Sequence, residues 1–360
     1  MREFGETLKF GLRPKSNLNM KLASSLSRRL FAALLATAFV ATASAAEPTW
    51  VTYDPKPGAG QGKHIVLIAG DEEYRGEEGL PMLGKILSQR HGFKCTVLFS
   101  VDAEGFINPD AGGSLSNPAA LDSADAIVLL LRFRHWDDDA NQRFEAAVNR
   151  GVPLIALRTS THAFNGLKGP YEKWNYGNKG GFGKQVLGET WISHWGRHKV
   201  EAMLGVVEPG QEKHPLFNGV QQIFADSDVY EAYPPADAKI LVRGQVLKGM
   251  TADTAPADYK KKRATDKAEQ GVNDPMMPVV WTREVRNEAG KVNKVFTTTM
   301  GAATDLQSEG TRRLVINSVF WGLGLEVPAK ANVDYLGDYK PSMYSFKGYK
   351  KGVKPSDHKL

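Results

Sequence analysis

The stretch that decides the fold is Lys63-His64-Ile65-Val66-Leu67-Ile68-Ala69-Gly70-Asp71, an unbroken apolar run that ends in a glycine and an acid. Strands covered by helices on both faces have this composition, whereas half-exposed strands alternate apolar and polar residues. Apolar residues then recur at helical spacing from Leu80 to Leu87, and Gly92 ends the predicted helix. This pattern predicts a buried parallel strand followed by a covering helix.

The alternation of strand and helix continues to residue 157. Further strands are predicted at residues 94–99, 126–131 and 153–157. Asp137-Asp138-Asp139 supplies an N-cap and favourable first-turn charges for a second helix. Repeated β-α-β units of this kind predict an α/β fold, an open parallel sheet with helices on both faces.

The second half of the chain is less regular. Candidate strands lie at residues 199–208, 239–247, 278–285 and 293–299, and a final helix is marked by Ile316, Val319, Phe320 and Leu323. We therefore predict one domain over residues 63–328 with β-rich insertions in its second half. A flexible lead-in, residues 46–62, precedes it, and a Lys-rich tail, residues 329–360, wraps the surface or is loose.

The charge distribution argues against a nucleic-acid partner. The chain of 360 residues has a formal net charge of +6. Residues 1–45 and the tail from Lys340 to Leu360 each contribute +5, so the body between them is acidic. A basic groove for nucleic acid is therefore not expected in the body.

The N-terminus has the pattern of an export signal. Met20-Lys21 opens a basic stretch, an apolar run follows at residues 30–40, and Ala43-Ser44-Ala45 precedes Ala46. This order predicts a secretory signal over residues 1–45, cleaved near Ala45–Ala46, with residues 1–19 as a start-site overcall. The apolar run is short for an uncleaved membrane anchor, which is the alternative. The mature protein is then periplasmic or secreted and has no integral membrane segment.

Polar side chains follow three of the predicted strands where each strand ends. The candidates are Asp71, Glu72 and Tyr74 after the first strand, Arg132, Arg134, His135 and Trp136 after the third, and Arg158 and His162 after the fourth. Open α/β sheets bind ligands beyond the carboxyl ends of their strands. We therefore expect these residues to surround one cleft.

Four segments, in their order along the chain, resemble the ThuA-like or trehalose-utilisation family. They are Ile68–Arg75, Leu129–Trp136, Pro153–Phe164, and the stretch from His214-Pro215-Leu216-Phe217 to Asp228-Val229-Tyr230. The resemblance covers about residues 63–327. It implies a flavodoxin-like sheet of the class I glutamine amidotransferase type and a role in sugar metabolism. It also adds Asp228 and Tyr230 to the candidate substrate-binding residues.

Glutamine hydrolysis itself is excluded on chemical grounds. The amidotransferase relatives need an exposed Cys at the turn after a strand, paired with a His. Here that turn holds Arg158, and Cys95, the only cysteine, lies inside a predicted strand as a small buried hydrophobe. Many ThuA-like chains place Gly-His after the late strand, whereas this chain has Gly301-Ala302.

Two hypotheses concern a sugar. Six aromatic residues are interleaved with glycines in one segment: Tyr171, Trp174, Tyr176, Phe182, Trp191 and Trp195. Such rings stack on the apolar face of a pyranose, or else pack a glycine-rich loop onto the sheet.

His162 is the candidate acid/base, with Asp71 facing it and Arg158 stabilising an oxyanion. The alternative for His162 is a structural, hydrogen-bonded imidazole.

Two further hypotheses concern hydrolysis. His194 and His198 lie four residues apart and are candidate ligands of a divalent metal, with His162 or Asp71 as the third ligand, although the intervening Gly196 disfavours a helix. Ser160 is a candidate nucleophile without the small neighbours that a nucleophile elbow needs.

The sequence therefore predicts an exported protein that binds a sugar or keto-sugar. Its predicted activity is isomerisation or elimination, with no cofactor unless the divalent metal is bound. The alternatives are a non-catalytic carbohydrate-binding module and a metal-dependent hydrolase, and the oligomeric state stays open.

Overall fold

The computed structural model describes residues 47–360, so the predicted export signal, residues 1–45, lies outside the described residues. The strands are β1 (Val51–Tyr53), β2 (His64–Gly70), β3 (Lys94–Phe99), β4 (Ala126–Leu131), β5 (Leu154–Leu157), β6 (Ser193–His194), β7 (Met203–Val207), β8 (Ile223–Ala225), β9 (Tyr230–Glu231), β10 (Lys239–Val246), β11 (Lys260–Lys262), β12 (Glu269–Gly271), β13 (Met277–Arg286) and β14 (Val292–Thr298). The α-helices are α1 (Gly76–His91), α2 (Asp138–Asn149) and α3 (Glu309–Leu323).

Ten of the strands form one mixed sheet in the order β1-β3-β2-β4-β5-β14-β13-β10-β7-β8. The five strands β3, β2, β4, β5 and β14 pair in parallel. Taken in chain order they follow the 2-1-3-4-5 arrangement of flavodoxin-like folds. The predicted α/β fold is confirmed, and strands β7, β8, β10 and β13 extend the sheet with antiparallel pairs.

Helices cover both faces of the parallel strands. Side chains of β2 alternate between the two cores: Ile65 and Leu67 pack in the core that contains residues of α1 and α3. Val66 and Ile68 pack in the second core, around Phe144 of α2. This double burial is the reason that the strand is apolar at every position.

The ends of the helices follow the local sequence signals. Gly92 ends α1 with φ of 80° and donates its backbone N–H to carbonyls of the last turn. The side chain of Asp137 caps α2 by accepting from the N–H of Ala140 at 2.9 Å. Cys95 lies fully buried in β3, as predicted. Within residues 47–360, none of the helices has the length and apolar character needed to cross a membrane.

The Lys-rich tail packs on the surface of the domain, which is one of the two alternatives that its sequence allowed. Tyr344 is fully buried, and its hydroxyl donates to the carbonyl of Asp226 at 3.0 Å. The N–H of Ser342 donates to Glu78 Oε2 at 2.7 Å. Burial and hydrogen bonding together fix this part of the tail.

Candidate functional site

A cleft of about 250 Å³ lies at the carboxyl ends of the parallel strands. Its walls come from the loops after β2, β4 and β5, from the segment around β6 and β9, and from the C-terminal tail. The lining residues are Glu73, Arg132, Thr159, His162, Trp191, His194, His198, Tyr230 and Phe346. The cleft therefore stands where the polar strand ends predicted it, although several predicted residues lie behind its walls.

Asp71 organises the loop after β2 and does not line the cleft. It is buried and accepts hydrogen bonds from the N–H groups of Glu73, at 2.8 Å, and Tyr74. Its second oxygen accepts from the Thr159 hydroxyl at 2.6 Å, which ties this loop to the one after β5. The expectation that Asp71 faces His162 as an acid/base partner is corrected, because both of its oxygens are used to hold backbone and Thr159.

Arg158 occupies the turn after β5 with φ of 36°, a left-handed conformation that is costly for a residue with a side chain. Its guanidinium is fully buried between the rings of Tyr74 and Tyr230, at 4.3 and 4.2 Å from their centroids. It donates to Asp228 Oδ1 at 2.9 Å and to the carbonyl of Thr299 at 2.7 Å. Arg158 is therefore an internal cation beneath the cleft, which corrects its expected role as an oxyanion donor.

Asp228 connects this internal cation with two imidazoles. Its Oδ2 accepts from His194 Nδ1 at 2.8 Å, and its Oδ1 accepts from His198 Nδ1 at 3.1 Å. Burial alone would raise the pKa of Asp228. The two imidazole hydrogen bonds and the charge of Arg158 outweigh burial and keep that pKa below its ordinary value. Asp228, which lies behind the wall of the cleft, is an anion that orients both rings.

His198 is held between two carboxylates. Its Nδ1 faces Asp228, and its Nε2 lies 3.1 Å from Oε1 of Glu73. The hydrogen bonds to Asp228 and Glu73 raise the pKa of His198 to about 9, against the opposing effect of burial. The ring is therefore an imidazolium at neutral pH and places a positive charge at the cleft.

His162 is the opposite case. Burial, helped by the charge of Arg132, holds its pKa well below the ordinary value, so its ring is neutral. The Thr161 hydroxyl donates its single proton to the carbonyl of Arg158 at 3.2 Å and lies 3.2 Å from His162 Nδ1. At Nδ1 that hydroxyl oxygen is therefore an acceptor, which puts the ring proton on Nδ1 and the lone pair on Nε2.

Glu72 positions two arginines and is not itself in the cleft. Its carboxylate pairs with Arg134 Nη2 at 2.8 Å and with Arg132. Arg134 is buried and also donates to the carbonyl of Pro109 at 2.9 Å, so it fixes the neighbouring loop. Only Arg132 keeps exposed surface at the cleft, with its side chain 20% accessible.

Several predicted residues lie away from the cleft, and their expected substrate contacts are corrected here. His135 is exposed outside it. Trp136 packs at 5.2 Å against Phe164 in the second core. Trp195 is fully buried, and its Nε1 donates to the carbonyl of Val272 at 2.8 Å. Tyr74 is buried against Arg158, beneath the cleft.

The aromatic-rich segment is divided between the second core and the cleft. Tyr171, Trp174 and Phe182 pack in the second core. Trp191 lines the cleft, with its ring 5.5 Å from that of His162. The segment therefore anchors a loop to the sheet and supplies one aromatic wall.

Ser160 is buried and has its hydroxyl engaged. It donates to the carbonyl of Leu129 at 3.0 Å and accepts from the N–H of Leu131 at 3.2 Å. These bonds join the turn after β5 to β4. A hydroxyl bound in this way is not presented to a substrate.

The imidazoles also define a candidate metal centre. One atom from each of His194, His198 and Asp228 lies within 4.8 Å of the others, as metal ligands do. Two imidazoles and a carboxylate form a donor set that suits Zn²⁺. Neither residue expected from the sequence as the third ligand, His162 or Asp71, belongs to this group.

Three lining residues were missed from the sequence. Glu73 and Thr159 lie in the polar segments that follow β2 and β5, where the sequence predicted neighbouring residues as the site residues. Phe346 lies in the C-terminal tail, and no sequence signal connected it with the strand ends. Its position results from the packing of the tail.

The chain matches one family model and is similar to several solved structures. The ThuA family model, described as trehalose utilisation, matches residues 66–322. No protein in the curated collection matches significantly. Among solved structures, a protein described as ThuA-like from Parabacteroides merdae has a TM-score of 0.47 and 14% identity, covering 74% of this chain and 92% of that one.

Two further solved structures match at lower scores. A protein described as ThuA-like from Bacteroides uniformis has a TM-score of 0.43 and 13% identity, covering 78% of this chain and 98% of that one. PurLQS from Thermotoga maritima has a TM-score of 0.37 and 12% identity, covering 72% and 98%. The assignment rests on the family match, which spans well over half of the residues. The chain belongs to the ThuA, or trehalose utilisation, family.

Proposed function

We propose that this protein binds a sugar or keto-sugar in the cleft and catalyses proton transfer on it, as an isomerase or an eliminating lyase. The observation that carries the proposal is the pair of imidazoles on Asp228. One carboxylate orients both His194 and His198, and both rings line the same cleft. A carboxylate that orients an imidazole is a recurring feature of acid/base sites.

His194 is the general base in this proposal. Its Nδ1 donates to Asp228, which in the neutral ring leaves the lone pair on Nε2. A carboxylate behind an imidazole stabilises the imidazolium that forms when the ring takes a proton. His162, the base expected from the sequence, is less suited because its burial opposes protonation.

His198 and Arg132 supply the positive charge. When His194 removes a proton from the carbon next to a sugar carbonyl, negative charge develops on the carbonyl oxygen. The Arg132 guanidinium donates hydrogen bonds to that oxyanion, and His198, whose two N–H groups are held by Asp228 and Glu73, supports it through its positive charge alone. Returning the proton to the neighbouring carbon completes an isomerisation, and loss of a β-substituent completes an elimination. His162, which lines the cleft, remains to bind a sugar hydroxyl through the lone pair of its Nε2.

The test is hydrogen exchange in D₂O, followed by NMR on a panel of keto-sugars. The wild-type protein is expected to incorporate deuterium beside the carbonyl, and His194→Gln to lose this activity by at least about 100-fold, the ordinary contribution of a general base. His135→Gln is the matched control, because His135 is exposed outside the cleft. Exchange that survives in His194→Gln overturns the assignment of the base. Sugar binding without exchange in the wild type favours a non-catalytic binding module.

A metal-dependent hydrolase is the second candidate, favoured by the convergence of His194, His198 and Asp228. These residues would hold the ion, which would supply an activated water. Binding of Zn²⁺ must then release the extra proton of His198. Calorimetry in two buffers of different ionisation enthalpy detects that release, and His198→Gln removes it. Undetectable Zn²⁺ binding eliminates this candidate.

Export is part of the proposal and rests on the pattern of residues 20–46. Expression of the full chain with N-terminal sequencing tests it. A mature protein that begins near Ala46 in the periplasm or medium supports export, and full-length cytosolic protein contradicts it.

A further inference from the structure

The C-terminal tail forms one wall of the cleft, although it lies beyond the matched residues 66–322. Its contribution is Phe346, which lines the cleft and keeps 53% of its surface exposed. In most proteins a single exposed Phe needs no explanation. Here its neighbours fix it in place and its ring stands beside the polar groups of the cleft.

The residues that precede Phe346 are fastened to the floor of the cleft. Tyr344 packs 5.0 Å from the ring of Tyr74 and 5.6 Å from that of His198. Tyr74, Tyr344 and Ala302 form a small buried cluster. The tail is therefore a fixed part of the structure beside the imidazoles.

Ser345 adds a second attachment. Its N–H donates to the carbonyl of Glu73 at 3.0 Å, and its carbonyl accepts from Arg75 Nη2. Glu73 itself contacts His198, so the loop that holds the imidazolium also holds the tail. Phe346 follows directly in the chain and lines the cleft next to Ser345, whose backbone N–H and carbonyl are both hydrogen-bonded.

The Arg132 guanidinium lies over the ring of Phe346, 4.9 Å from its centroid, and over the ring of Phe133 at 4.6 Å. A cation between two rings is held in one orientation and keeps N–H groups for hydroxyl oxygens. A flat apolar surface beside directed donors is complementary to a pyranose, which has an apolar face and a rim of hydroxyls.

The charges and the size of the cleft narrow the ligand. Arg132 is paired with Glu72, and His198 with Asp228 and Glu73. Each cationic side chain among the described residues that line the cleft is already paired with a carboxylate. None is therefore free to attract an anionic group of a ligand. The volume of about 250 Å³ is below the roughly 300–1,000 Å³ of pockets for drug-sized ligands, so it suits one sugar ring.

We propose that Phe346 and Arg132 form the subsite that binds the ring of a single neutral sugar unit, and that Phe346 is a specificity-determining residue. This inference rests on the proposed carbohydrate function and goes further by naming the ligand class and the residue that selects it. The tail thereby adds a specificity element to the matched core.

The test measures affinity and turnover for methyl hexosides, hexose keto-sugars, a uronic acid and the acyclic polyol sorbitol. Phe346→Ala is expected to weaken neutral pyranose binding about 3- to 10-fold, the value of one lost aromatic contact, with kcat within about 2-fold. Phe346→Trp is expected to restore binding. Met343→Ala is the matched control, because Met343 is an exposed tail residue outside the cleft lining.

The outcomes separate this inference from the proposed function. If the wild type binds pyranoses and Phe346→Ala binds them equally well, or if Met343→Ala weakens binding as much, the subsite is refuted and the proposed function stands. Preference for the uronic acid or for sorbitol also refutes the subsite. If the wild type binds none of the sugars, both proposals fail. Thermal melts of each variant check that the fold is unchanged.

Discussion

Asp228→Asn is the most informative single substitution in this protein. It keeps the shape of the side chain and removes the buried charge that Arg158, His194 and His198 share. Asp228 is fully buried, and loss of one partner from a buried ion pair costs about 3–5 kcal/mol, because the opposite charge is left without compensation. At roughly 2 °C per kcal/mol for a domain of this size, the melting temperature falls by about 6–10 °C.

The pH dependence of the free energy of unfolding gives a second, independent prediction for Asp228→Asn. The pKa of His198 is raised from 6.5 to about 9 in the folded protein. A raised histidine pKa stabilises the fold fully below pH 6.5, and this contribution is lost as the pH rises through 9. Because the His198 side chain is 26% exposed, solvent screening reduces the contribution to about 1–2 kcal/mol. Asp228→Asn removes the hydrogen bond to the Asp228 carboxylate, which is the largest cause of the raised pKa of His198.

The assay is differential scanning calorimetry of the wild type and Asp228→Asn at pH 6.5 and pH 10. The difference in free energy of unfolding between the wild type and Asp228→Asn is expected to be about 1–2 kcal/mol smaller at pH 10 than at pH 6.5. Asp338→Asn is the control, because the Asp338–Lys340 pair is almost fully exposed and its loss costs at most about 1 kcal/mol. A melting temperature of Asp228→Asn within 2 °C of the wild type, or a difference in free energy of unfolding that is independent of pH, refutes the reasoning.

Three further predictions test other parts of the site. Asp71→Asn is expected to lower the free energy of unfolding by about 1–3 kcal/mol in urea titrations, because the new amide nitrogen cannot accept the bonds that the lost carboxylate oxygen held. Burial raises the pKa of the Cys95 thiol, so iodoacetamide, followed by mass spectrometry, should leave it unmodified in the native protein and alkylate it after unfolding. Turnover of a keto-sugar should decline above about pH 9, as His198 loses its proton, and a rate that stays constant to pH 10 contradicts its role.

Local patterns determined the strands and helices of the parallel core. The expectation of a flexible lead-in over residues 46–62 was wrong, because it contains β1, which is buried and paired with β3. The predicted run at residues 63–69 became β2 at His64–Gly70, and the cap at Asp137 and the stop at Gly92 lie where they were expected. These features depend on neighbouring residues only, since burial on both faces forces an apolar run and helix ends need specific caps.

The site was predicted in position but not in the roles of its residues. The strand ends predicted the cleft, because the topology of a parallel sheet brings them together. Arg158 and Asp71 were expected to act on a substrate, yet both are buried and act on the protein itself. A polar side chain at a strand end turns to the ligand or to the core according to the partners that other segments bring, and a single sequence does not contain that information.

The two features on which the proposals depend were decided by tertiary structure alone. His194 and His198 share Asp228, more than thirty residues from His194, because β6 pairs with β9. Phe346 reaches the cleft because the tail packs through Tyr344 onto Tyr74. The sequence by itself determined the buried strands, the helices and the edge of the sheet that carries the site. The pairing of distant charges and the packing of the tail required the folded chain, because contacts between separated segments depend on geometry that no local pattern encodes.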